Sequence, residues 1–366
     1  MQYPAHGANA ASLYKALEME MPADVIDLSE NVNVFQTPDA VQQQWASSFS
    51  LLQAYPHEQA EPFTSAAAEH HGVSRAYVKA TNGAAEALHV LAQYLQKQTV
   101  VLFEPSFSEY RRTLTHAGCT IVPVVAQSIT NYTFCDEEVH DALRQADACY
   151  ICNPNNPTGA LTSRATIEAY VQQYPQCLFV IDEAFIDWTD EAQSCVSLVE
   201  AYDNIVVLRS MTKMYGLAGV RLGYMLTQHV PHLHGYFPHW HVSGLAIALG
   251  TTCLQQHEFA ERSRMHAHTL RTQMTDELRA LGCTVTNSVA NFCTFSLPDG
   301  YDTDHFFRTM LARGIVLRHT KNYVGLDGQW LRIAVKDNAM WQRCLQEMKQ
   351  YVDNVSHISS CKNSVE

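Results

Sequence analysis

The sequence predicts an α/β protein whose large domain holds a mostly parallel sheet and is followed by a smaller α+β domain. Short apolar runs rich in β-branched residues alternate with helical stretches through the middle of the chain. This pattern is typical of parallel strands that helices cover on both faces. After about Gly244 the pattern changes to one long helical stretch followed by two strands. The 366 residues are enough for two domains.

The individual elements follow from the spacing of apolar residues. Large-domain strands are predicted over residues 100–103, 120–124, 149–152, 178–182, 205–209 and 222–226. Helices are predicted over 84–96, 164–173 and 195–201, and small-domain strands over 283–287 and 292–296. We therefore expect an N-terminal segment over residues 1–40 that contributes to the small domain and the functional site, and a large domain over residues 41–244. A small domain should follow over residues 245–355, and a polar, disordered tail over residues 356–366.

Composition and charge exclude several classes of protein. An apolar fraction of 47% and a charged fraction of 17% are typical of a soluble globular enzyme. The net charge of −13 argues against non-specific binding to nucleic acid, which requires a basic face. No apolar run approaches the roughly 20 residues that span a bilayer, and the start of the chain lacks a signal-peptide pattern. The eleven cysteines are an odd, scattered set, which predicts reduced thiols and a cytoplasmic protein.

Lys213 is the strongest candidate for covalent chemistry. It follows the hydroxyls of Ser210 and Thr212, and Arg221 comes eight residues later across two glycines. A lysine amine forms a Schiff base with an aldehyde cofactor, and a hydroxyl together with an arginine can bind a phosphate. Most lysines are solvated surface charges, but this one lies between the apolar runs 206–208 and 222–224. That setting favours the functional interpretation.

A second candidate lies at the predicted start of the helix over 84–96. Gly83, Ala84 and Ala85 are small residues that leave the first backbone N–H groups of the helix accessible. The positive end of the helix dipole makes such a turn a phosphate site. Many ordinary helices also begin with a glycine-rich turn, so this signal is weak alone.

Two further motifs follow predicted strands. Residues 153–159 form a loop made rigid by two prolines and a glycine, at the strand end where open α/β sheets bind ligands, and the amide of Asn156 can donate to a phenolate oxygen. Asp182 ends an apolar strand, and a buried aspartate needs a cationic partner to stay ionised. A protonated pyridine nitrogen is such a partner. The competing interpretation for Asp182 alone is a helix N-cap.

Two arginines lie within apolar strand-like runs of the small domain. Arg332 is flanked by Leu331 and Ile333, and Arg318 follows another apolar run. A guanidinium group binds carboxylate or phosphate through paired hydrogen bonds. A single buried arginine is often part of a structural ion pair, whereas two such residues indicate a dianionic substrate.

The order and spacing of these motifs resemble the fold-type I pyridoxal-phosphate (PLP) enzymes over essentially the whole chain. Within that group the chain resembles the branch that holds histidinol-phosphate aminotransferases and threonine-phosphate decarboxylases. The resemblance implies a seven-stranded, mostly parallel sheet in a PLP-binding large domain. It also implies PLP as cofactor and a homodimer, with no bound metal, nucleic acid or membrane as partner.

The resemblance also assigns roles, residue by residue. Lys213 joins the cofactor aldehyde, Asp182 pairs with the pyridine nitrogen and Asn156 holds the ring oxygen. The other cofactor contacts are Phe107, which stacks on the ring, and the phosphate ligands Ala84, Ala85, Ser210 and Arg221. Tyr55 reaches the phosphate in the neighbouring subunit. The phosphorylated substrate contacts His6, Asn31, Arg318 and Arg332, the last through its carboxylate.

The details of the motifs favour the decarboxylases within this branch. Residues 5–9, 28–33 and 322–327 resemble decarboxylase segments, and Phe185 stands where the aminotransferases usually have tyrosine. Ser243 is closer to the aminotransferases, and Val34 replaces an expected proline. The implied reaction is decarboxylation of L-threonine O-3-phosphate to 1-aminopropan-2-yl phosphate, or of serine phosphate, as in cobalamin biosynthesis.

Two alternatives remain open. The first is an aminotransferase that acts on histidinol phosphate or a related amino acid with 2-oxoglutarate, because the same residues serve both reactions. The second is a PLP-binding regulator, although such proteins add a basic DNA-binding segment and this chain is acidic. The histidines of the 229–241 segment suggest zinc, but no cysteine or carboxylate completes a ligand set, so we expect a solvated surface.

Overall fold

The computed structural model describes Gly7 and residues 9–363, with side chains as far as residue 354. The predicted α/β class is confirmed. The helices are α1 Ala10–Ala16, α2 Asp39–Ser47, α3 Phe63–His71, α4 Ala84–Tyr94, α5 Ser108–His116, α6 Asp136–Arg144, α7 Arg164–Gln173, α8 Val230–Leu233, α9 Gly244–Leu254, α10 His257–Ala280, α11 Thr303–Ala312 and α12 Asn338–Asn363. None of them, within the described residues, has both the length and the apolar character needed to cross a bilayer.

A seven-stranded sheet forms the centre of the large domain. Its order is β2-β8-β7-β6-β5-β3-β4, and β8 alone runs antiparallel to its two neighbours. The strands are β2 Val78–Thr81, β3 Thr99–Glu104, β4 Thr120–Val125, β5 Ala148–Cys152, β6 Leu178–Asp182, β7 Ile205–Ser210 and β8 Gly223–Leu226. The seven strands and their mostly parallel arrangement agree with what the resemblance implies, whereas the apolar pattern itself predicted six of them.

The sheet is buried on both faces because successive side chains of its strands point to opposite sides. In β5, Tyr150 packs with the apolar faces of α4 and α5, whereas Cys149 and Ile151 belong to the core on the other face. Cys149 and Cys152 are both buried free thiols in separate cores. Because these two thiols lie on opposite faces of the sheet, they belong to the cores and do not form a redox pair.

A second, antiparallel sheet has the order β12-β13-β10-β9. Its strands, with the parallel pair formed by β1 and β11, are β1 Ile26–Asp27, β9 Thr284–Val285, β10 Phe292–Ser296, β11 Ile315–Val316, β12 Arg318–His319 and β13 Trp330–Ala334. Because β1 pairs with β11, the N-terminal segment is tied to the C-terminal part of the chain. The backbone amide of Asn33 also donates to the carbonyl of Lys213 at 3.0 Å.

Some local predictions differ from the structure. The helix predicted over 195–201 is a 3₁₀ turn over Val196–Glu200, and the strand β2 was not predicted. A disordered tail was predicted over residues 356–366, whereas α12 continues to Asn363. The single long helix after Gly244 is two helices, α9 and α10, interrupted at Gln255 and Gln256.

Candidate active site

A cavity of about 320 Å³ lies at the carboxyl edge of the large sheet, against the small-domain sheet. It brings together most of the residues that the motifs singled out. The cofactor candidates in its wall are Ala84, Ala85, Phe107, Asn156, Asp182, Ser210, Lys213 and Arg221, and the substrate candidates are Asn31, Arg318 and Arg332. Parallel strands end at the same edge of a sheet, which explains why motifs more than 100 residues apart meet here.

Lys213 follows β7 and projects into the cavity. Desolvation is the main cause that lowers the pKa of its amine to about 8, and the positive charge of Arg332 lowers it further. Its Nζ atom lies 6.0 Å from the centre of the Phe185 ring. A lower pKa leaves more of the amine neutral near pH 7, and the neutral amine is the nucleophile.

Asp182 ends β6 and is 4% exposed. Its Oδ2 atom accepts a hydrogen bond from the Tyr110 hydroxyl at 2.7 Å, and its Oδ1 atom accepts one from the Ala184 amide at 3.0 Å. Burial raises the pKa of this carboxyl, while both hydrogen bonds and the charge of Lys213 oppose that rise. A cation held against the carboxylate would favour its ionised form, so this environment suits a protonated ring nitrogen.

The start of α4, Arg221 and Ser210 form a set of donors suited to a phosphate group. Gly83 is the N-cap of α4 with φ +73°, and a Cβ atom placed there would lie 2.7 Å from Nη2 of Arg221. A Cβ atom on Gly223 would lie 2.8 Å from the backbone N of Ala84. The two glycines therefore allow the guanidinium group and the helix start to approach closely. Ser210 and Thr212 are hydrogen-bonded to each other at 2.8 Å.

Asn156 lies in the loop after β5 and joins the two sheets. Its Oδ1 atom accepts hydrogen bonds from Nη1 of Arg332 at 2.5 Å and from the Tyr323 hydroxyl at 3.3 Å. The amide NH₂ group is thereby left as the group that can donate to a ligand. This orientation suits the predicted contact with a ring oxygen.

Arg318 and Arg332 are register partners across β12 and β13, and both are buried. Arg318 donates to Oδ1 of Asn322 at 2.8 Å, and Arg332 donates to the carbonyl of Ser29 at 2.7 Å. Burial lowers the pKa of Arg332 to about 10. Within the described residues, Nε of Arg332 and Oδ1 of Asn31 are buried without a hydrogen-bond partner. These atoms in the cavity wall suit a polar ligand.

The remaining predicted residues lie elsewhere or outside the described part of the chain. Tyr55 is 81% exposed and packs on Trp240 with ring centres 4.7 Å apart, away from this cavity in the same subunit. His6 lies outside the described residues. Its neighbour Gly7 lines the cavity, so the N-terminal segment reaches the site.

The histidine-rich segment is not uniformly a solvated surface. His241 is largely buried, and its Nδ1 atom lies 2.7 Å from Oε2 of Glu86 in the first turn of α4. The expectation of a solvated surface is therefore wrong for His241. Among the described residues, no group of three or more histidine, cysteine, aspartate or glutamate side chains could hold a metal ion.

Sequence reasoning missed several residues of the cavity wall, including Tyr110, Tyr323 and Glu30. One signal was available, because Tyr110 lies in the first turn of α5, three residues after its N-cap Phe107. Tyr323 was part of a motif used only for the resemblance. Glu30 likewise belongs to the 28–33 segment, which was used only for the resemblance.

The fold, and a cavity that holds both Lys213 and Asp182, are consistent with the family to which the sequence matches. The model of the family "Aminotransferase class I and II" matches residues 23–348. The chain belongs to this family. Members of this family use PLP, which confirms the cofactor predicted from the sequence.

Individual members of the family resemble the chain over nearly its whole length. The threonine-phosphate decarboxylase of Salmonella typhimurium is 27% identical over 96% of this chain and 98% of its own. A histidinol-phosphate aminotransferase of Nitratidesulfovibrio vulgaris is 32% identical over 90% of this chain and 89% of its own. The crystal structure of histidinol-phosphate aminotransferase from Sinorhizobium meliloti in complex with pyridoxal-5'-phosphate has a TM-score of 0.84 at 18% identity and covers 95% of each chain. At this level of identity, the similarity to the Sinorhizobium meliloti structure supports the fold alone.

Proposed function

We propose that this family member is a PLP-dependent lyase that decarboxylates an O-phosphorylated amino acid. The expected substrate is L-threonine O-3-phosphate, which gives 1-aminopropan-2-yl phosphate, or the serine analogue, in a reaction of the kind used in cobalamin biosynthesis. The observation that carries this proposal is the pair Arg318 and Arg332 in the wall of the cavity that also holds Lys213 and Asp182. Two adjacent guanidinium groups suit a substrate with both a carboxylate and a phosphate.

The cavity residues fit PLP as follows. Lys213 would hold the cofactor covalently, Asp182 would pair with its ring nitrogen and Asn156 would donate to its ring oxygen. Phe107 would cover the ring, and the start of α4, Ser210 and Arg221 would bind the phosphate. When bound, PLP supplies an aldehyde for an amine and a protonated ring that accepts electrons from a bond broken at Cα of the substrate.

By orienting the substrate, Arg318 and Arg332 would determine which bond at Cα breaks. Arg332 would bind the substrate carboxylate, and Arg318 with Asn31 the phosphate at the other end. Each charge-assisted hydrogen bond contributes about 1.5–3 kcal/mol to this orientation. Held in this way, the Cα–carboxylate bond would stand perpendicular to the ring plane, so that the ring could accept its electron pair as CO₂ leaves. Lys213 would then transfer a proton to Cα to give the phosphorylated amino alcohol.

Two further observations support decarboxylation. Phe185 packs edge-on against Phe292 with ring centres 5.0 Å apart, and it offers no hydroxyl to the ring oxygen where the aminotransferases of this branch usually have tyrosine. The relative that aligns with 96% of the chain is a threonine-phosphate decarboxylase. Both observations favour a substrate and a reaction of that type.

Transamination is the second candidate. It is favoured by the 32% identity to a histidinol-phosphate aminotransferase and by Ser243, which resembles the aminotransferases. In that reaction Lys213 would remove the Cα proton and 2-oxoglutarate would be the second substrate. The binding residues proposed above would serve both reactions.

We also propose that the protein is a cytoplasmic homodimer in which Tyr55 reaches the phosphate site of the neighbouring subunit. Trp45, Phe49 and Leu52 are 60%, 72% and 61% exposed and lie close in sequence to Tyr55, which is itself exposed. An exposed set of large apolar side chains of this kind marks an interaction surface. A self-complementary contact through it would cover these side chains and give Tyr55 a role that its own subunit does not provide.

The experiment that separates the two reactions uses purified protein loaded with PLP. It is incubated with O-phosphothreonine, O-phosphoserine or histidinol phosphate, each with and without 2-oxoglutarate, while CO₂ and glutamate are measured separately. We expect CO₂ from O-phosphothreonine or O-phosphoserine that does not depend on 2-oxoglutarate. Glutamate formation from histidinol phosphate with no release of CO₂ would establish the aminotransferase instead.

A further inference from the structure

We propose that Tyr110 is a positioning residue whose hydroxyl fixes the orientation of the Asp182 carboxylate and stabilises its negative charge towards the ring nitrogen of the cofactor. This inference rests on the cofactor site proposed above. It adds a residue that the motifs did not indicate, and it assigns to that residue a defined effect on the electronic state of the bound ring.

The geometry around Asp182 is fully specified by its two hydrogen bonds. The hydroxyl of Tyr110, which is completely buried on α5, reaches Oδ2 at 2.7 Å, while the amide of Ala184 reaches Oδ1 at 3.0 Å. Each carboxylate oxygen therefore has one donor from the protein. With both oxygens held, the plane of the carboxylate is set before any ligand arrives.

The direction of the Tyr110 hydrogen bond follows from the surrounding groups. Burial raises the pKa of Tyr110 well above its ordinary value, so the phenol keeps its proton and donates it. Burial alone favours the neutral form of Asp182, and the bond from Tyr110 is the largest effect that opposes this. A hydrogen bond to the charged form of an acid stabilises that form.

The other titratable groups near Asp182 do not replace Tyr110. Lys213 favours the charge of Asp182, but its amine is committed to the cofactor in the proposed site. Burial raises the pKa of the Cys152 thiol to about 12 and also raises that of Tyr150, so both stay neutral at working pH. Tyr110 is therefore the neutral side chain that stabilises the carboxylate directly.

The ring of Tyr110 has a separate packing role. It lies edge-on against Phe107, with ring centres 5.6 Å apart and planes at 86°. The substitution Tyr110→Phe keeps this contact and removes the hydroxyl alone. An effect of this substitution on the cofactor therefore reports on the bond to Asp182 and not on the support of Phe107.

Tyr150 provides a matched control. Its ring centre is 5.5 Å from that of Tyr110 in the same core, and its buried hydroxyl has no hydrogen-bond partner within the described residues. Tyr150→Phe therefore removes the same group from the same surroundings without touching Asp182. The two variants together separate the specific contact from the general effect of losing a buried hydroxyl.

The test measures the dissociation constants of the apoprotein for PLP and for a deaza analogue in which CH replaces the ring nitrogen. We expect Tyr110→Phe to weaken PLP binding by about tenfold or more, because a hydrogen bond to a charged group is lost. Binding of the deaza analogue should change by less than about twofold, since it has no nitrogen for Asp182 to pair with. Tyr150→Phe should leave both constants within about twofold of the wild type.

A pH titration of the absorbance of bound PLP provides a second measurement. In Tyr110→Phe the ring nitrogen should lose its proton at lower pH than in the wild type, because its anionic partner is less stable. Equal losses for PLP and the deaza analogue, or equal losses in Tyr110→Phe and Tyr150→Phe, would overturn this inference and leave the proposed function intact. Wild-type protein that binds neither compound would overturn both.

Discussion

At the scale of single residues, the environment of Lys213 determines what the site can do. Burial and the charge of Arg332 lower the pKa of the amine to about 8, whereas an exposed lysine titrates near 10.4. About a tenth of the amine is then neutral at pH 7, compared with well under a hundredth for an exposed lysine. The cavity therefore makes the amine of Lys213 more reactive towards an aldehyde than the amine of a surface lysine.

The first prediction concerns pH. Because the folded pKa of Lys213 is depressed, the charged amine gives way to the neutral one as pH rises through about 8. The rate at which apoprotein captures PLP covalently should therefore rise across that range and level off above it, as followed by stopped-flow absorbance. A rate that keeps increasing towards pH 10.5 without levelling off would show that the reacting lysine is not buried.

At the scale of elements, the contact between the start of α4 and the end of the loop before β8 shapes the proposed phosphate site. Gly83 has φ +73° and lies against the guanidinium group of Arg221, while Gly223 lies against the backbone of Ala84. The site depends on the absence of side chains at these two positions as much as on the groups that donate.

The second prediction uses Gly83→Ala with Gly118→Ala as its control. Both glycines have positive φ, so each substitution should destabilise the fold, by about 1–2 kcal/mol at Gly118 and by more at Gly83, whose ψ of 161° lies in a region that only glycine adopts readily. Only at Gly83 does the new Cβ meet the guanidinium group of Arg221, since Gly118 faces open space. Gly83→Ala should therefore weaken binding of PLP but not of pyridoxal, which lacks the phosphate. Equal weakening of both compounds in Gly83→Ala would argue against a phosphate site here.

The third prediction concerns the strand pair β12 and β13. Arg318→Ala should raise KM for O-phosphothreonine by about ten- to a hundredfold, because charge-assisted hydrogen bonds to the phosphate are lost. Binding of unphosphorylated threonine should change little. Arg332→Ala is the matched variant on the partner strand and should weaken both ligands, because both carry the carboxylate. Equal losses on the two ligands in Arg318→Ala would count against its role in binding phosphate.

The elements that the sequence predicted well are those whose formation depends on local pattern. The strands β6 and β7 are largely apolar, Asp182 is the last residue of β6 and Lys213 lies three residues after β7, so their meeting at one edge was predictable. The strand β2 has only four residues and contains Lys79, which gives no apolar run to recognise. Contacts between distant segments, such as His241 with Glu86, depend on how the chain folds back and leave no local signal.

At the scale of the whole molecule, the exposed apolar surface around Tyr55 argues for assembly. It includes Phe49, and Tyr55 packs on Trp240 from a distant part of the chain. Each active site of the proposed homodimer would contain residues from both subunits.

The fourth prediction tests that arrangement by mixing subunits. Lys213→Ala and Tyr55→Ala homodimers should each be impaired, the first completely. Mixed dimers should regain activity in one site, because the intact Lys213 of one subunit meets the intact Tyr55 of its partner. The measurement is activity after co-expression and purification with two different tags. No recovery in the mixed dimers would show that Tyr55 does not act across an interface.

The central claim is that Lys213 holds PLP in the cavity that also contains Asp182. The most direct measurement is borohydride reduction of the loaded protein, which fixes the cofactor on the lysine to which it is joined, followed by peptide mapping with mass spectrometry. We predict a single pyridoxyl group on Lys213, its absence in Lys213→Ala, and unchanged labelling in a control with the exposed Lys15 replaced by alanine. A label on another lysine, or labelling that persists in Lys213→Ala, would contradict the account.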